Sequence, residues 1–130
     1  MDLSAYFENA KGLGVLATAD GEGQVDLAVY ARPHVVDEST VAFIMADRLS
    51  HANLQANPRA AYLWHQAGQG YDGVRLHLVK AGEETSPTKI QAIRRRSTPP
   101  VCEGEEGEPR FLVTFRVERI RPLVGDGDLT

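Results

Sequence analysis

The sequence predicts one mainly β domain, an antiparallel barrel with short helices at its periphery. Apolar and polar residues alternate with a period of two in several segments, which is typical of strands that bury one face. Short turn signals separate these segments, so hairpins rather than long helices connect most of them. A chain of 130 residues has room for a single core. We therefore expect six antiparallel strands in a barrel with α+β character.

The first half of the chain predicts three strands and two short helices, and Val35-Val36 with the turn at residues 37–39 predicts a hairpin into the last of these strands. The helices cover residues 4–11 and 50–57, and the strands cover residues 13–18, 25–30 and 40–46. Asp20 and Gly21 tolerate the positive φ of a tight turn between the first two strands. In the second strand Val25, Leu27 and Val29 alternate with other residues, as expected when only one face is buried. The third strand is almost entirely apolar, which predicts burial on both faces.

The second half predicts three more strands and a third helix. The strands cover residues 60–65, 74–79 and 111–117. The helix covers residues 86–96 and places Ile90 and Ile93 on one face, toward the barrel. Residues 97–110 are rich in Pro, Gly and Glu and are expected to form a mobile loop, and residues 125–130 are expected to be a frayed tail. All 130 residues form one domain in this interpretation.

The composition argues against several classes of function. Its 14 Lys and Arg against 18 Asp and Glu give a net charge of −4, whereas a nucleic-acid-binding protein needs a basic surface. No apolar run approaches the ~20 residues that span a bilayer, and the first residues lack the pattern of a secretion signal, so we expect a cytoplasmic protein. Cys102 is the only cysteine and cannot form an internal disulfide. The acidic run at residues 103–108 is expected to be solvated.

Several familiar catalytic and metal sites are missing from the sequence. There is no Gly-rich phosphate loop, no paired Cys or Cys/His spacing for zinc, and no Gly-x-Ser-x-Gly turn. The histidines are scattered, so we expect surface or structural roles for them and no metal site; they are His34, His51, His65 and His77.

The start of the helix at residues 50–57 is a candidate anion site. The first N–H groups of a helix lack intrahelical partners and carry the positive end of its dipole. Arg48 adds a guanidinium and Ser50 a hydroxyl at this place. Together these groups can bind a phosphate, although a serine here is also a common helix cap.

The residues around this helix resemble a known family. The block Arg48-Leu49-Ser50-x-x-Asn53-Leu54-x-x-Asn57-Pro58-Arg59-Ala60 is similar to the signature Lys-Thr-x-Asn-Leu-x-x-Asn-Pro-Arg-Val of the pyridoxamine 5'-phosphate oxidase-like FMN-binding split barrels. The hairpin at residues 16–23, the pair Arg32-Pro33 and the segment at residues 70–76 resemble features of the same family in the same order. The resemblance covers residues 5 to 122 and implies a Greek-key split barrel that binds FMN.

The resemblance also implies a phosphate site. Ser50 stands at the family's threonine position, which helps to hold the FMN phosphate, and Asn53 begins the short helix beneath it. Leu49 departs from the family, which often has a lysine there. Arg48 or Arg32 would then supply the missing positive charge.

The flavin ring, by the same resemblance, lies against the second strand and the end of the third. The residues implied are Val29, Tyr30, Ala31, Ala46 and Asp47. A partner subunit covers the ring in this family, which implies a homodimer. The sequence is compatible with a dimer, because Val29, Tyr30, Ala46 and Trp64 can supply an apolar interface patch. Candidates for flavin contacts across the interface are Trp64, Tyr71 and Arg75. For these three residues, core aromatics or a surface charge are the alternative interpretation.

Three functions remain open on the sequence alone. The favoured one is an FMN-dependent oxidoreductase or electron carrier, in which the flavin performs the redox chemistry. The alternatives are a flavin-binding module without catalysis, such as a store or sensor, and a split barrel that binds haem or a deazaflavin cofactor. Vitamin B6 oxidation is not expected, because the Arg and Lys set of a full pyridoxal phosphate site is not recognisable.

Overall fold

The computed structural model describes residues 1–94 and 110–129. Within these residues the helices are α1 (Leu3–Phe7), α2 (Leu49–Ala56) and α3 (Pro87–Arg94). The strands are β1 (Gly12–Ala19), β2 (Val25–Val29), β3 (His34–Asp37), β4 (Thr40–Ala46), β5 (Arg59–Gln66), β6 (Gly73–Glu84) and β7 (Arg110–Pro122). The expected end of the third helix at residues 95–96 and most of the expected loop, with Cys102 and the acidic run, lie outside the described residues. No helix in the described ranges is long and apolar enough to cross a membrane.

The seven strands form one antiparallel sheet in the order β2-β1-β5-β6-β7-β4-β3. The expected antiparallel β fold is confirmed, with seven strands in the described ranges instead of six. The seventh strand is β3, the Val35-Val36 arm of the predicted hairpin, which pairs with β4 through His34 and Val35 directly after Pro33 has interrupted the chain. Strands far apart in sequence are neighbours, such as β1 with β5 and β4 with β7, so the sheet is not a simple meander.

Strand β4 lies between the barrel core and α3. Phe43 and Met45 face the core of the barrel, whereas Ile44 faces the opposite side. There α3 covers the sheet, with Ile90 buried and Ile93 packed beside it. The predictions that this strand is buried on both faces and that the helix packs through these two isoleucines are therefore confirmed.

Strand β2 turns its apolar side chains outward. Val25, Leu27 and Val29 are 81%, 69% and 72% exposed. Their row continues across the neighbouring strands, because Val29 lies opposite Val15 of β1, which lies opposite Leu63 of β5. The outer apolar face, as we call this surface, consists of the exposed residues Leu13, Val25, Leu27, Val29 and Leu63 together with the half-buried Val15. Such a contiguous apolar surface is uncommon on a monomer.

Candidate functional site

A cleft of about 290 Å³ lies between the end of β2, the end of β4 and the start of α2. Strand β3 also reaches it through His34, so both edge strands of the sheet border the same opening. Its lining residues are Asp26, Ala28, Val29, Tyr30, Ala31, Arg32, His34, Phe43, Ile44, Ala46, Arg48, Leu49 and Ser50. The cleft therefore combines an apolar wall with a polar end.

The polar end is built by the first turn of α2. The helix begins at Leu49, and its N-cap is Arg48, which has an extended backbone and whose side chain does not cap the helix. The expectation that Ser50 caps this helix is therefore wrong, because the helix starts before it. Ser50 instead lies buried in the first turn and lines the cleft. The N–H groups of this turn have no intrahelical acceptor, so they form the positive end of the cleft.

Two guanidinium groups add to this positive end. Both residues line the cleft, Arg32 from the segment between β2 and β3 and Arg48 from the segment between β4 and α2. Arg32 donates a hydrogen bond of 2.7 Å from Nη1 to the carbonyl oxygen of Ala10, which ties the segment after β2 to the start of the chain. Asp26 is the one carboxylate among the described residues that line the cleft. The balance of charge thus suits an anionic ligand.

The wall at the end of β2 is held from inside the barrel by Tyr62. Its hydroxyl lies 3.0 Å from the carbonyl oxygens of both Tyr30 and Ala31, so its one hydrogen is shared between them. Gly14 makes this approach possible, because a Cβ at that position would overlap the Tyr62 hydroxyl and the Tyr30 carbonyl. Burial raises the pKa of the Tyr62 hydroxyl, which keeps it protonated as a donor.

Helix α2 is anchored to the barrel by Asn53 and His51. Asn53 is buried, and its Nδ2 donates to Oγ1 of Thr18 on β1 at 3.1 Å. The ring of His51 stacks on Phe111 of β7 with the centroids 3.8 Å apart. Its Nδ1 lies 3.1 Å from an oxygen of Asp47, four residues earlier. These contacts set the position of the helix whose first turn lines the cleft.

The second nitrogen of His51 connects α2 to β6. Nε2 of His51 lies 3.0 Å from Oε2 of Glu83, and Oε1 of the same carboxylate accepts hydrogen bonds from Lys80 and Gln55. Burial of Glu83 acts to raise the pKa of its carboxyl, but the hydrogen bonds from Lys80, His51 and Gln55 outweigh it and lower that pKa to about 2. Glu83 is therefore an ionised acceptor at neutral pH.

The structure brings together most of the residues that the sequence singled out. Those that line the cleft are Val29, Tyr30, Ala31, Arg32, Ala46, Arg48, Leu49 and Ser50. Asp47 and Asn53 lie next to it and hold α2, as described above. Trp64 is 2% exposed and packs against Phe7 in the barrel core, so it does not belong to a surface patch and the alternative of a core aromatic applies.

Tyr71 and Arg75 do not line the cleft of their own chain. Tyr71 is 81% exposed in the turn before β6. Arg75 lies on β6, where its Nε donates to the carbonyl oxygen of Pro122 at 2.8 Å. Any contact of these two residues with a flavin would have to come from a partner subunit.

Sequence reasoning missed several residues that build the cleft. His34, Phe43 and Asp26 line it, and Tyr62 holds its wall. The apolar run of β4 and the break at Pro33 were available signals for Phe43 and His34. Tyr62 contacts Tyr30 and Ala31, which lie about thirty positions earlier in the sequence, so no local sequence pattern predicts this contact.

Comparisons with known proteins support the fold. No protein-family model matches the chain, and no curated protein matches it by sequence. Solved structures do match it along most of its length. HupZ of Group A Streptococcus is 19% identical with a TM-score of 0.71, and the match covers 92% of this chain and 90% of that one.

Two further matches have cofactor names in their descriptions. An F420 reductase is 17% identical with a TM-score of 0.67, over 90% of this chain and 94% of that one. An FMN-binding protein from Syntrophomonas wolfei is 18% identical with a TM-score of 0.65, over 88% of this chain and 78% of that one. Structures from Lactobacillus delbrueckii and Listeria innocua that are named after pyridoxamine 5'-phosphate oxidase match as well. The chain therefore has the pyridoxamine 5'-phosphate oxidase-like split-barrel fold.

Proposed function

We propose that this protein is a flavoprotein that binds FMN non-covalently in the cleft and uses it for oxidoreduction or electron transfer. The observation that carries the proposal is the cleft itself, because an uncapped helix start, two guanidiniums and a serine hydroxyl stand at one end of an apolar wall. A flavin mononucleotide has the matching shape, a flat ring with a phosphate at the end of a chain. A protein of the same fold that is described as FMN-binding supports this assignment.

The phosphate would be held by the first turn of α2. Its N–H groups and the hydroxyl of Ser50 are hydrogen-bond donors, and Arg48 and Arg32 supply positive charge where the family has a lysine. Leu49 is exposed at this position and adds no charge. Helix starts of this kind bind phosphate through aligned N–H groups and the helix dipole together.

The ring would lie on the end of β2, against Val29, Tyr30 and Ala31. Tyr62 holds the carbonyl groups of the last two residues, so this wall is positioned before a ligand arrives. Ala46 and Phe43 supply apolar surface from β4. The bound flavin supplies the redox chemistry, while these residues orient it and keep water from one of its faces.

A second copy of the chain would cover the rest of the ring. The outer apolar face begins at Val29, which belongs both to this face and to the cleft. A two-fold axis would bury the faces of two copies against each other and produce two equivalent flavin sites. We therefore propose a homodimer whose interface includes Val25, Leu27 and Val29, with a total buried area of at least ~2,000 Å². Tyr71 and Arg75 of the partner subunit remain candidates for contacts with the ring.

A deazaflavin is the second candidate cofactor, because one match of the same fold is described as an F420 reductase. This cofactor also combines a flat ring with a phosphate, so the same groups would bind it. A store or sensor without catalysis is the alternative to an oxidoreductase for either cofactor.

Identification of the bound chromophore tests the proposal. The protein is purified from cells and denatured, and the released chromophore is identified by its absorption spectrum and its mass. We expect FMN, and photoreduction followed by reoxidation with added acceptors would then separate a redox protein from a store. If a deazaflavin or haem is released instead, that compound and not FMN is the cofactor of the protein. A colourless protein that takes up no added FMN at micromolar concentration would overturn the proposal.

A further inference from the structure

Four basic side chains lie together on the outer face of β6 and β7. The β6–β7 basic cluster, as we call it, consists of Arg75, His77, Arg119 and Arg121. Arg75 stands directly opposite Arg121, and His77 stands directly opposite Arg119. Like charges in directly opposite positions of neighbouring strands repel each other. An anion bound among these side chains would relieve this repulsion.

The chain supplies such an anion from its own C-terminal segment. Oδ1 of Asp128 accepts a hydrogen bond from Nε of Arg119 at 3.1 Å. Nη2 of the same guanidinium lies 3.0 Å from Oδ1 and 3.3 Å from Oδ2. The same carboxylate lies 3.9 Å from Nε of Arg121. The segment is held in place because Leu129 donates from its N–H to the carbonyl oxygen of Ile120 at 2.7 Å. The expected frayed tail thus carries a carboxylate that a guanidinium fork binds as it would bind a separate ligand.

One carboxylate does not satisfy this cluster. Within residues 1–94 and 110–129 the three guanidiniums face one carboxylate, that of Asp128, and Arg75 donates its hydrogen bonds to the carbonyl oxygens of Pro122 and Gly125. Nε of Arg121 is buried without a hydrogen-bond partner within the described part of the chain. Burial lowers the pKa of the His77 ring, and the charges of Arg121, Arg119 and Arg75 lower it further. As far as the structure describes the chain, the cluster therefore keeps an excess of positive charge and one buried donor without an acceptor.

We propose that the β6–β7 basic cluster is a binding site for a small dianion, a phosphate monoester or a dicarboxylate, and that the ligand displaces the tethered carboxylate of Asp128. Arg119 and Asp128 are half-exposed, so a ligand reaches the fork from solvent. A dianion neutralises more of the positive charge of the three guanidiniums than the single carboxylate of Asp128 does. None of the four residues lines the cleft of its own chain, and Arg75 alone is also a candidate for a flavin contact from the partner subunit, so the fork of Arg119 does not depend on the proposed flavin binding.

A phosphate titration followed by NMR of the His77 ring tests this proposal. The probes are inorganic phosphate and succinate, each added to the purified protein at constant ionic strength. We expect a saturable shift of the His77 resonances and a rise of the His77 pKa, because a bound dianion counters the three guanidiniums. The probe that binds more tightly identifies the ligand class, phosphate or dicarboxylate.

Three variants make the test specific. Asp128→Asn removes the tethered competitor and should tighten phosphate binding by about tenfold, whereas Arg119→Gln should weaken it by about tenfold. Arg116→Gln is the matched control, because Arg116 lies on the same strand but pairs with Glu118, outside the cluster. The Arg116→Gln variant should bind phosphate with the affinity of the wild type. The proposal is overturned if chloride produces the same shift, if neither wild type nor Asp128→Asn shows a saturable shift, or if Arg119→Gln binds phosphate unchanged.

Discussion

The hydroxyl of Tyr62 lies 3.0 Å from the carbonyl oxygen of Tyr30 and connects the barrel core to the wall of the cleft. Tyr62 is fully buried on β5, and Tyr30 follows the last residue of β2. The strand between them, β1, allows this contact because it has a glycine, Gly14, beneath the hydroxyl. A buried side chain thus determines where the chain leaves β2 and where the cleft opens.

We expect Tyr62→Phe to loosen this wall. The variant keeps the ring in the core but leaves two carbonyl groups without their donor, which should lower the free energy of unfolding by about 1 kcal/mol. FMN affinity should fall several-fold as well, since Tyr30 and Ala31 lose their support. Urea denaturation and flavin titration measure the two effects. Tyr71→Phe, in an exposed side chain, should leave the free energy of unfolding unchanged, and an equal loss in both variants would contradict the assigned role.

The contact network of Glu83 predicts a specific dependence of stability on pH. The pKa of Glu83 is lowered from 4.5 to about 2 in the folded protein. Its stabilising contribution is therefore fully present above pH 4.5 and is lost as the pH falls toward 2. Between pH 6 and pH 3 the wild type should lose about 2 kcal/mol more stability than Glu83→Gln, which cannot titrate at this position.

Denaturation of the cofactor-free wild type and of Glu83→Gln at both pH values measures this difference. Parallel losses of stability in the two proteins would show that Glu83 is not held by Lys80, His51 and Gln55 as the structure has it.

Sequence patterns predicted the strands well, and in β6 and β7 also the side that faces the core, but not in β2. The alternation of Val25, Leu27 and Val29 indicates one buried face, yet these apolar residues are the exposed ones. Local hydrophobicity does not distinguish a core from a surface that another molecule can cover. The two-sided burial of β4 was predictable, because every residue after Thr40 is apolar and such a strand has no face suited to water.

The candidate site was predicted where its residues are close in sequence. Arg48, Leu49 and Ser50 follow one another, and the resemblance to a family placed them at a phosphate. Contacts across the sheet could not be predicted in this way. His51 has Asp47 four residues away, which is a local signal on a helix, but Glu83 lies 32 residues further on and joins it only through the fold.

We expect Leu27→Lys to prevent dimer formation. Leu27 is in the middle of the exposed row of β2, where a charge in the proposed interface would be buried without a partner. The wild type should sediment as a dimer and the variant as a monomer with weaker FMN binding. Val124→Lys, which places the same charge at an exposed apolar residue outside the outer apolar face, should remain dimeric. A wild type that sediments as a monomer at micromolar concentration would refute the proposed interface.

The central claim is that the cleft binds FMN with its phosphate at the start of α2, and a comparison of FMN with riboflavin tests it most directly. Titration calorimetry measures both ligands on the cofactor-free wild type and on the double variant Arg48→Ala with Ser50→Ala. The wild type should bind FMN at least tenfold more tightly than riboflavin. The double variant should lose about 1.5 to 3 kcal/mol of FMN binding, roughly ten- to a hundredfold, while riboflavin binds as before. Unchanged FMN affinity in the double variant, or equal affinity of the wild type for the two ligands, would contradict the account.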